Sequence, residues 1–317
     1  MRAGALKGAR CVVAGGAGAV GGLLVDLLRG AGADVLVVDV AAPAVDALPY
    51  VRRDICAMNA RLVAEIERAD IVVLAVPEHV ALRSLPKLAR ALRPGTLVVD
   101  TLSVKTRIVA ALDAHAPRLQ AVSLNPMFAP ALGFDGRAVA AVVVRDGPRA
   151  RALLDAIGRR GGRVVQVGAD DHDRVAAATQ ALAHAAVLAF GLALDELGVA
   201  VEDLDAVAPP PHLTLLAVLA RISSGRPDTY WDVQAGNPHA RRARTALASG
   251  LAMLAEAVDH GTAGDFADLL ERLARGLGRD REAYNRICAE LFAVARRPPC
   301  ESGGARQART TEEKVNA

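Results

Sequence analysis

Along the first half of the chain, short runs rich in β-branched residues alternate with longer stretches in which apolar residues recur every three or four positions. Arg10–Ala14, Asp34–Asp39, Asp70–Ala75, Thr96–Asp100, Leu119–Leu124, Val139–Val144 and Arg163–Val167 read as strands. Val20–Arg29, Val80–Leu92 and Val104–Ala114 carry the helical period between them. That alternation predicts βαβ units and a doubly wound parallel sheet, an α/β fold. After Gly168 the pattern changes. From Asp171 to about Arg297 there are only long Ala/Leu-rich segments, and one of them, from about Asp173 to Leu197, bears an apolar stripe of Thr179, Leu182, Ala186, Phe190, Leu194 and Leu197. The expected division is therefore 1–168 as an α/β nucleotide-binding domain, 169–297 as an all-α domain, and 298–317 as a polar, disordered tail. The stripes exceed what one small helical domain buries internally, which predicts a homodimer formed through the helical domain.

Composition narrows the class. At 317 residues, 52% hydrophobic and 23% charged, the chain can bury two cores. No apolar run reaches the roughly 18 to 20 residues needed to cross a bilayer, and the N-terminus lacks a signal-peptide pattern, so no membrane association is expected. Cys11, Cys56, Cys288 and Cys300 are scattered without a Cys-x-x-Cys pair, which suits a reducing cytoplasm. A net charge of +3 with 3% aromatic residues gives no support to nucleic-acid binding. The seven histidines show no metal-ligand spacing, so no metal is expected. The lysines are Lys7, Lys87, Lys105 and Lys314 against many arginines, so a lysine inside a motif carries weight.

The first strand runs into Gly16-Ala17-Gly18-Ala19-Val20-Gly21 and then an apolar helix. Glycines here permit the tight turn and a close backbone approach to a pyrophosphate, and the helix N-terminus supplies donors. The second strand, Val35–Val38, ends in Asp39, whose carboxylate would accept from the ribose hydroxyls and repel a 2′-phosphate. No arginine adjoins Val40, which favours NAD over NADP. Val76 and Pro77, where the chain leaves Asp70–Ala75, are expected to run along the cofactor. This is a Rossmann-type site.

Three further segments sit where ligands collect, beyond the carboxyl ends of the strands. Asp100-Thr101-Leu102-Ser103-Val104-Lys105, the loop Ser123-Leu124-Asn125-Pro126-Met127-Phe128-Ala129-Pro130, and Asp171-His172-Asp173 followed by Gln180-Ala181-Leu182-Ala183-His184 together resemble the prephenate dehydrogenase family, from Ala9 to about Arg297. Ser103 also reads as a cap for a helix beginning at Val104, and Gln180 and His184, four apart on one helix face, also read as polar residues of a dimer seam. The resemblance implies an oxidative decarboxylation in which hydride passes from ring C4 of a prephenate-like dicarboxylate to NAD. It implies Ser103 and Lys105 close to the reacting centre, Gln180 and His184 on the substrate side, and Arg221 on the substrate carboxylate, for which a bidentate guanidinium is suited. An upstream family arginine is absent, the neighbourhood reading Pro211-His212-Leu213, and His115 falls near a nicotinamide-side histidine at a different spacing.

The main departure is Asn125. The family has a histidine there that takes the proton from the C4 hydroxyl, a contribution of about 10²- to 10⁴-fold. An amide cannot do so. An amine at C4 donates electrons strongly enough not to need that base, so Asn125 points to the branch acting on 4-amino-4-deoxyprephenate. Two alternatives stay open: a prephenate or arogenate dehydrogenase with a weakened base, and a catalytically silent NAD-binding dimer.

Overall fold

All seven expected strands form. Numbered in chain order they are β1 (Arg10–Ala14), β2 (Asp34–Asp39), β4 (Ile71–Leu74), β5 (Leu97–Asp100), β6 (Gln120–Pro126), β7 (Ala138–Arg145) and β8 (Arg163–Gln166), with β3 (Tyr50–Arg52) added at one edge. This computed structural model describes residues 6–42, 48–199 and 207–295, so the expected disordered tail lies outside the described residues. The strands make one eight-stranded sheet in the order β3-β2-β1-β4-β5-β6-β7-β8. At three residues β3 is too short to show a period.

The sheet is mixed rather than wholly parallel as expected, because β7 runs antiparallel to β6. A parallel return needs a crossover of a dozen or more residues, usually helical. The segment Met127–Arg137 is shorter and holds only the 3₁₀ turn Pro130–Leu132. β8 then pairs parallel to β7.

Successive strand residues point to opposite faces, and both faces are covered. Val13, Val73 and Val99 pack with Leu24 and Leu28 of α1 (Ala19–Gly30) and Leu153 and Ile157 of α5 (Pro148–Arg159). Val12, Val72 and Val98 pack with Leu62 and Ile66 of α2 (Ala60–Arg68), Leu85 and Leu88 of α3 (Glu78–Ala91), and Ile108 and Leu112 of α4 (Thr106–His115). Each such Leu or Ile contributes about 1.5–3 kcal/mol by its burial, so the sheet is the rigid platform on which the loops at its carboxyl edge are held.

The chain divides into two compact units, Met1–Ala186 with Ser224–Met253, and Val187–Ser223 with Leu254–Ala317. The first unit thus keeps the start of the long helix beyond Gly168 and takes back a later segment. That helical stretch is α6 (Ala169–Ala176), a π turn over Ala177–Ala181, and α7 (Leu182–Leu197). At 29 residues, with an 18-residue window of mean hydropathy 1.6, it is long and apolar enough by length and composition to cross a bilayer, contrary to the expectation that no segment of the chain is. Its first turns, however, hold the buried polar pair His172 and Asp173. The described part of the second unit contains α8 (Pro210–Ser223), α11 (Ala263–Leu277), α12 (Arg281–Val294) and the last turns of α10 (Ala240–Asp259). Leu270, Leu273 and Leu277 of α11 and Ile287, Leu291 and Val294 of α12 are exposed on it.

Candidate active site

The nucleotide-binding turn depends on one glycine beyond the expected three. Gly15 has φ +80°, and a Cβ there would collide with the carbonyl of Ala75, so β1 and β4 exit side by side only with glycine at this point. A Cβ on Gly21 would likewise strike the Gly15 carbonyl, which fixes how closely α1 meets the turn. No side chain caps α1 and no acidic residue sits in its first turn, leaving its N-terminal amides for an anionic ligand. Asp39 is held ready: Oδ2 accepts from Ala17 N at 3.0 Å and Oδ1 from Ala41 N at 3.1 Å.

A cavity of about 520 Å³ lies between this turn, Asp39, Val76 and Pro77. An adjoining one of about 390 Å³ runs from Gly18, Ala19, Val20 and Gly21 past Pro77 to Ser103, Tyr230 and Asp232. Gly16 packs against Val37. The turn, the open helix end and the Asp39 carboxylate fit a dinucleotide laid from ribose to nicotinamide across these two cavities. The fold also brings Arg53 and Arg226 to the first cavity, which spacing along the chain does not reveal.

Asn125 ends a buried polar chain on β6. It is 4% exposed, and its Nδ2 lies 3.1 Å from Nε2 of His172, whose Nδ1 lies 2.8 Å from Oδ1 of Asp173. The same carboxylate accepts from Lys105 N at 2.8 Å, Thr106 N at 2.9 Å and Thr106 Oγ1 at 2.8 Å. Asp173 therefore caps α4 from another element, and Ser103, expected to cap a helix starting at Val104, does not. Burial raises the Asp173 carboxyl pKa, but the hydrogen bonds from His172, Thr106 and Lys105 outweigh it and hold the group below the usual carboxylate range. Asn237 Nδ2 donates to the Asp173 carbonyl at 2.8 Å, tying the segment that follows Tyr230 to the same point.

Lys105 does not reach the substrate side. It is fully buried, and its ammonium donates to the carbonyls of Leu102 at 2.5 Å and Leu124 at 2.7 Å and to Asp100 Oδ1 at 3.3 Å. Burial lowers its pKa, opposed by the Asp100 charge. Ser123 Oγ donates to the same Asp100 oxygen at 2.7 Å. The residue expected beside the reacting atoms is thus a clamp that joins the loop after β5 to the strand residue just before Asn125, because a side chain leaving the start of α4 points back beneath the sheet's edge.

Ser103 lines the second cavity. Gln180, in the π turn, comes 3.8 Å from Met127 Sδ, and His184 meets the Tyr230 ring edge-on at 5.0 Å between centroids. Ser103 thus shares a cavity with Pro130 and Gln180 touches Met127, both in the Asn125 loop, while the contact of His184 is with Tyr230. His115 does not join them. As the last residue of α4 it lies at the amino edge of the sheet, beside Pro94 and Leu119, because a crossover helix returns to where the next strand begins. Arg221 is carried by the second unit, exposed on the last turn of α8.

Neither His172 nor Asp173, nor the acids Glu78 and Asp232, stands out from the local sequence as a site residue. Glu78 is buried, takes a 2.7 Å bond from Arg107 Nη1, and has its pKa raised by burial; Asp232, raised for the same reason, accepts from Glu78 N at 3.4 Å and lines the second cavity. His172 and Asp173 were legible only as part of a motif. What joins Asp232 to Glu78 is contact between segments over 150 positions apart.

A fold built on this sheet, with this turn and this carboxyl-edge cluster, defines a nucleotide-binding dehydrogenase. Residues 26–141 match the family model described as prephenate dehydrogenase, nucleotide-binding domain. A 4-amino-4-deoxyprephenate dehydrogenase of Streptomyces pristinaespiralis is 51% identical over 93% of this chain and 99% of its own. A T-protein of Haemophilus influenzae is 30% identical over 71% of this chain and 55% of its own. Prephenate dehydrogenase of Aquifex aeolicus shares the fold with a TM-score of 0.67 at 18% identity, over 84% of this chain and 98% of that one. The chain belongs to the prephenate dehydrogenase family, and it is an oxidoreductase with a nucleotide-binding domain.

Proposed function

We propose that the protein carries out the NAD-dependent oxidative decarboxylation of 4-amino-4-deoxyprephenate to 4-aminophenylpyruvate. The observation that carries this reading is Asn125: the residue at the head of the buried chain is an amide, not a base, and the 51% identical relative bears the name of that activity. NAD, when bound, supplies the hydride acceptor. Gly16, Gly18 and Gly21 with the amides of α1 hold its pyrophosphate, Asp39 its ribose hydroxyls, and Val76 and Pro77 flank the nicotinamide side.

As hydride leaves C4 and carbon dioxide leaves C1, positive charge develops at C4 and is relieved by its substituent. A hydroxyl does this well only when its proton is taken. A neutral amine does it with its own electron pair. With Nδ2 directed at His172, Asn125 offers its carbonyl oxygen to an amine N–H and orients the ring without removing a proton. Ser103, on the wall of the second cavity, supplies a hydroxyl near C4, and Gln180 and His184 close the far side. Arg221 binds a substrate carboxylate in the assembled enzyme, a homodimer built on the exposed apolar faces of α11 and α12.

NADH formation by the purified enzyme on 4-amino-4-deoxyprephenate and on prephenate decides the reading. The expected result is a marked preference for the amine, and equal or faster turnover of prephenate overturns it in favour of a tyrosine-pathway enzyme. In Asn125→His the preference moves toward prephenate by roughly 10²-fold or more, the worth of a positioned base.

A further inference from the structure

Asn125 is useful only in one of its two amide orientations. If its NH₂ pointed at the reacting ring, it would donate into the electron pair of the C4 amine, the pair that must drive hydride out. If its carbonyl points there, it accepts from the amine N–H and makes that pair more available. The two orientations have nearly the same shape, so packing does not choose between them.

The chain behind Asn125 does choose. Asp173 is held ionised by three hydrogen bonds from Lys105 and Thr106, and a carboxylate only accepts, so His172 Nδ1 must be the donor in the 2.8 Å contact. When the ring carries a single proton, that proton is on Nδ1 and Nε2 presents a bare electron pair. That pair meets Asn125 Nδ2 at 3.1 Å. The reversed amide would set two acceptors against each other where His172 and Asn125 are each only 4% exposed and water cannot intervene. We propose that His172, oriented by Asp173, is a positioning residue that fixes the polarity of the Asn125 amide, carbonyl toward the C4 substituent, and so makes Asn125 an acceptor in the reaction. This rests on the amine-substrate reading for its consequence, but not for its geometry.

The same device would act on a histidine at position 125. An imidazole in place of the amide would donate one N–H to the His172 pair and keep its other nitrogen bare toward C4, which is the form a base needs. His172 would then fix a tautomer where it now fixes an amide.

The test uses two independent readouts. First, ¹⁵N NMR of the histidine-labelled holoenzyme, with the His172 signals assigned by their loss in His172→Asn, should show Nδ1 protonated and Nε2 bare. A protonated Nε2 overturns the proposal, whatever the substrate proves to be. Second, His172→Asn keeps a donor where Nδ1 stands, and so keeps Asp173 paired, but cannot reach Asn125. Its kcat on 4-amino-4-deoxyprephenate should fall roughly 10- to 100-fold, the cost of a misdirected buried hydrogen bond. KM for NAD and NADH binding by fluorescence should stay unchanged. In Asn125→His the added His172→Asn should cancel most of the gain on prephenate. If His172→Asn retains kcat within about twofold on the preferred substrate, the proposal is wrong. A wild-type enzyme that prefers prephenate would overturn the proposed function alone, since the NMR readout and the kcat of His172→Asn on prephenate still decide the role of His172.

Discussion

At the scale of single residues, the site is organised by buried polar groups that have few alternatives. Lys105 satisfies all three of its donors on Leu102, Leu124 and Asp100, so its work is to fix the backbone on either side of the reacting centre. Replacing one partner of such a buried pair leaves a stranded charge, which costs about 3–5 kcal/mol. Lys105→Met should therefore lower stability by that order in urea denaturation, and Asp100→Asn added to it should recover a large part, because the stranded carboxylate is removed. Arg221→Ala belongs to a different category. On the proposed role it raises KM for the dicarboxylate severely and leaves NADH fluorescence titrations unaltered; a loss of NAD binding would count against that role.

At the scale of elements, the junction of α4 with α6 holds the site together. Asp173 supplies the cap that α4 lacks in its own sequence and at the same time orients His172. Its folded pKa is depressed, so its contribution to stability is present above the ordinary carboxylate value and is lost as pH falls through the lowered one. The difference in melting temperature between wild type and Asp173→Asn should thus be largest near neutrality and close on acidification. A constant gap down to strongly acid pH would show that the carboxylate's charge is not what the cap uses. The turn between β1 and α1 is equally constrained: Gly21→Ala should abolish NADH binding while the far-ultraviolet circular dichroism stays nearly that of wild type.

For the whole molecule, the apolar side chains left uncovered on α11 and α12 are the strongest feature. Exposed apolar side chains of this kind are what the proposed homodimer would bury. Leu270→Glu combined with Leu273→Glu should convert the proposed homodimer into a monomer in light scattering, with loss of activity if Arg221, in its proposed role, needs the assembled helices. A dimer unaffected by both changes would place the interface elsewhere.

The local sequence determined the strands, the glycine turn with Asp39, and the class of chemistry, because these depend on spacing and residue type within about thirty positions. Asn125 announced itself the same way, as a departure inside a short motif. The sequence did not determine that β7 turns back antiparallel, that His115 ends at the far edge of the sheet, or that Lys105 is a clamp. Those outcomes are set by where a connection or a helix returns the chain in space. The polarity of the Asn125 amide belongs with them. It is decided by His172 and Asp173, 47 and 48 positions later, and only the closure of α6 over the carboxyl edge of the sheet brings that electron pair to that amide.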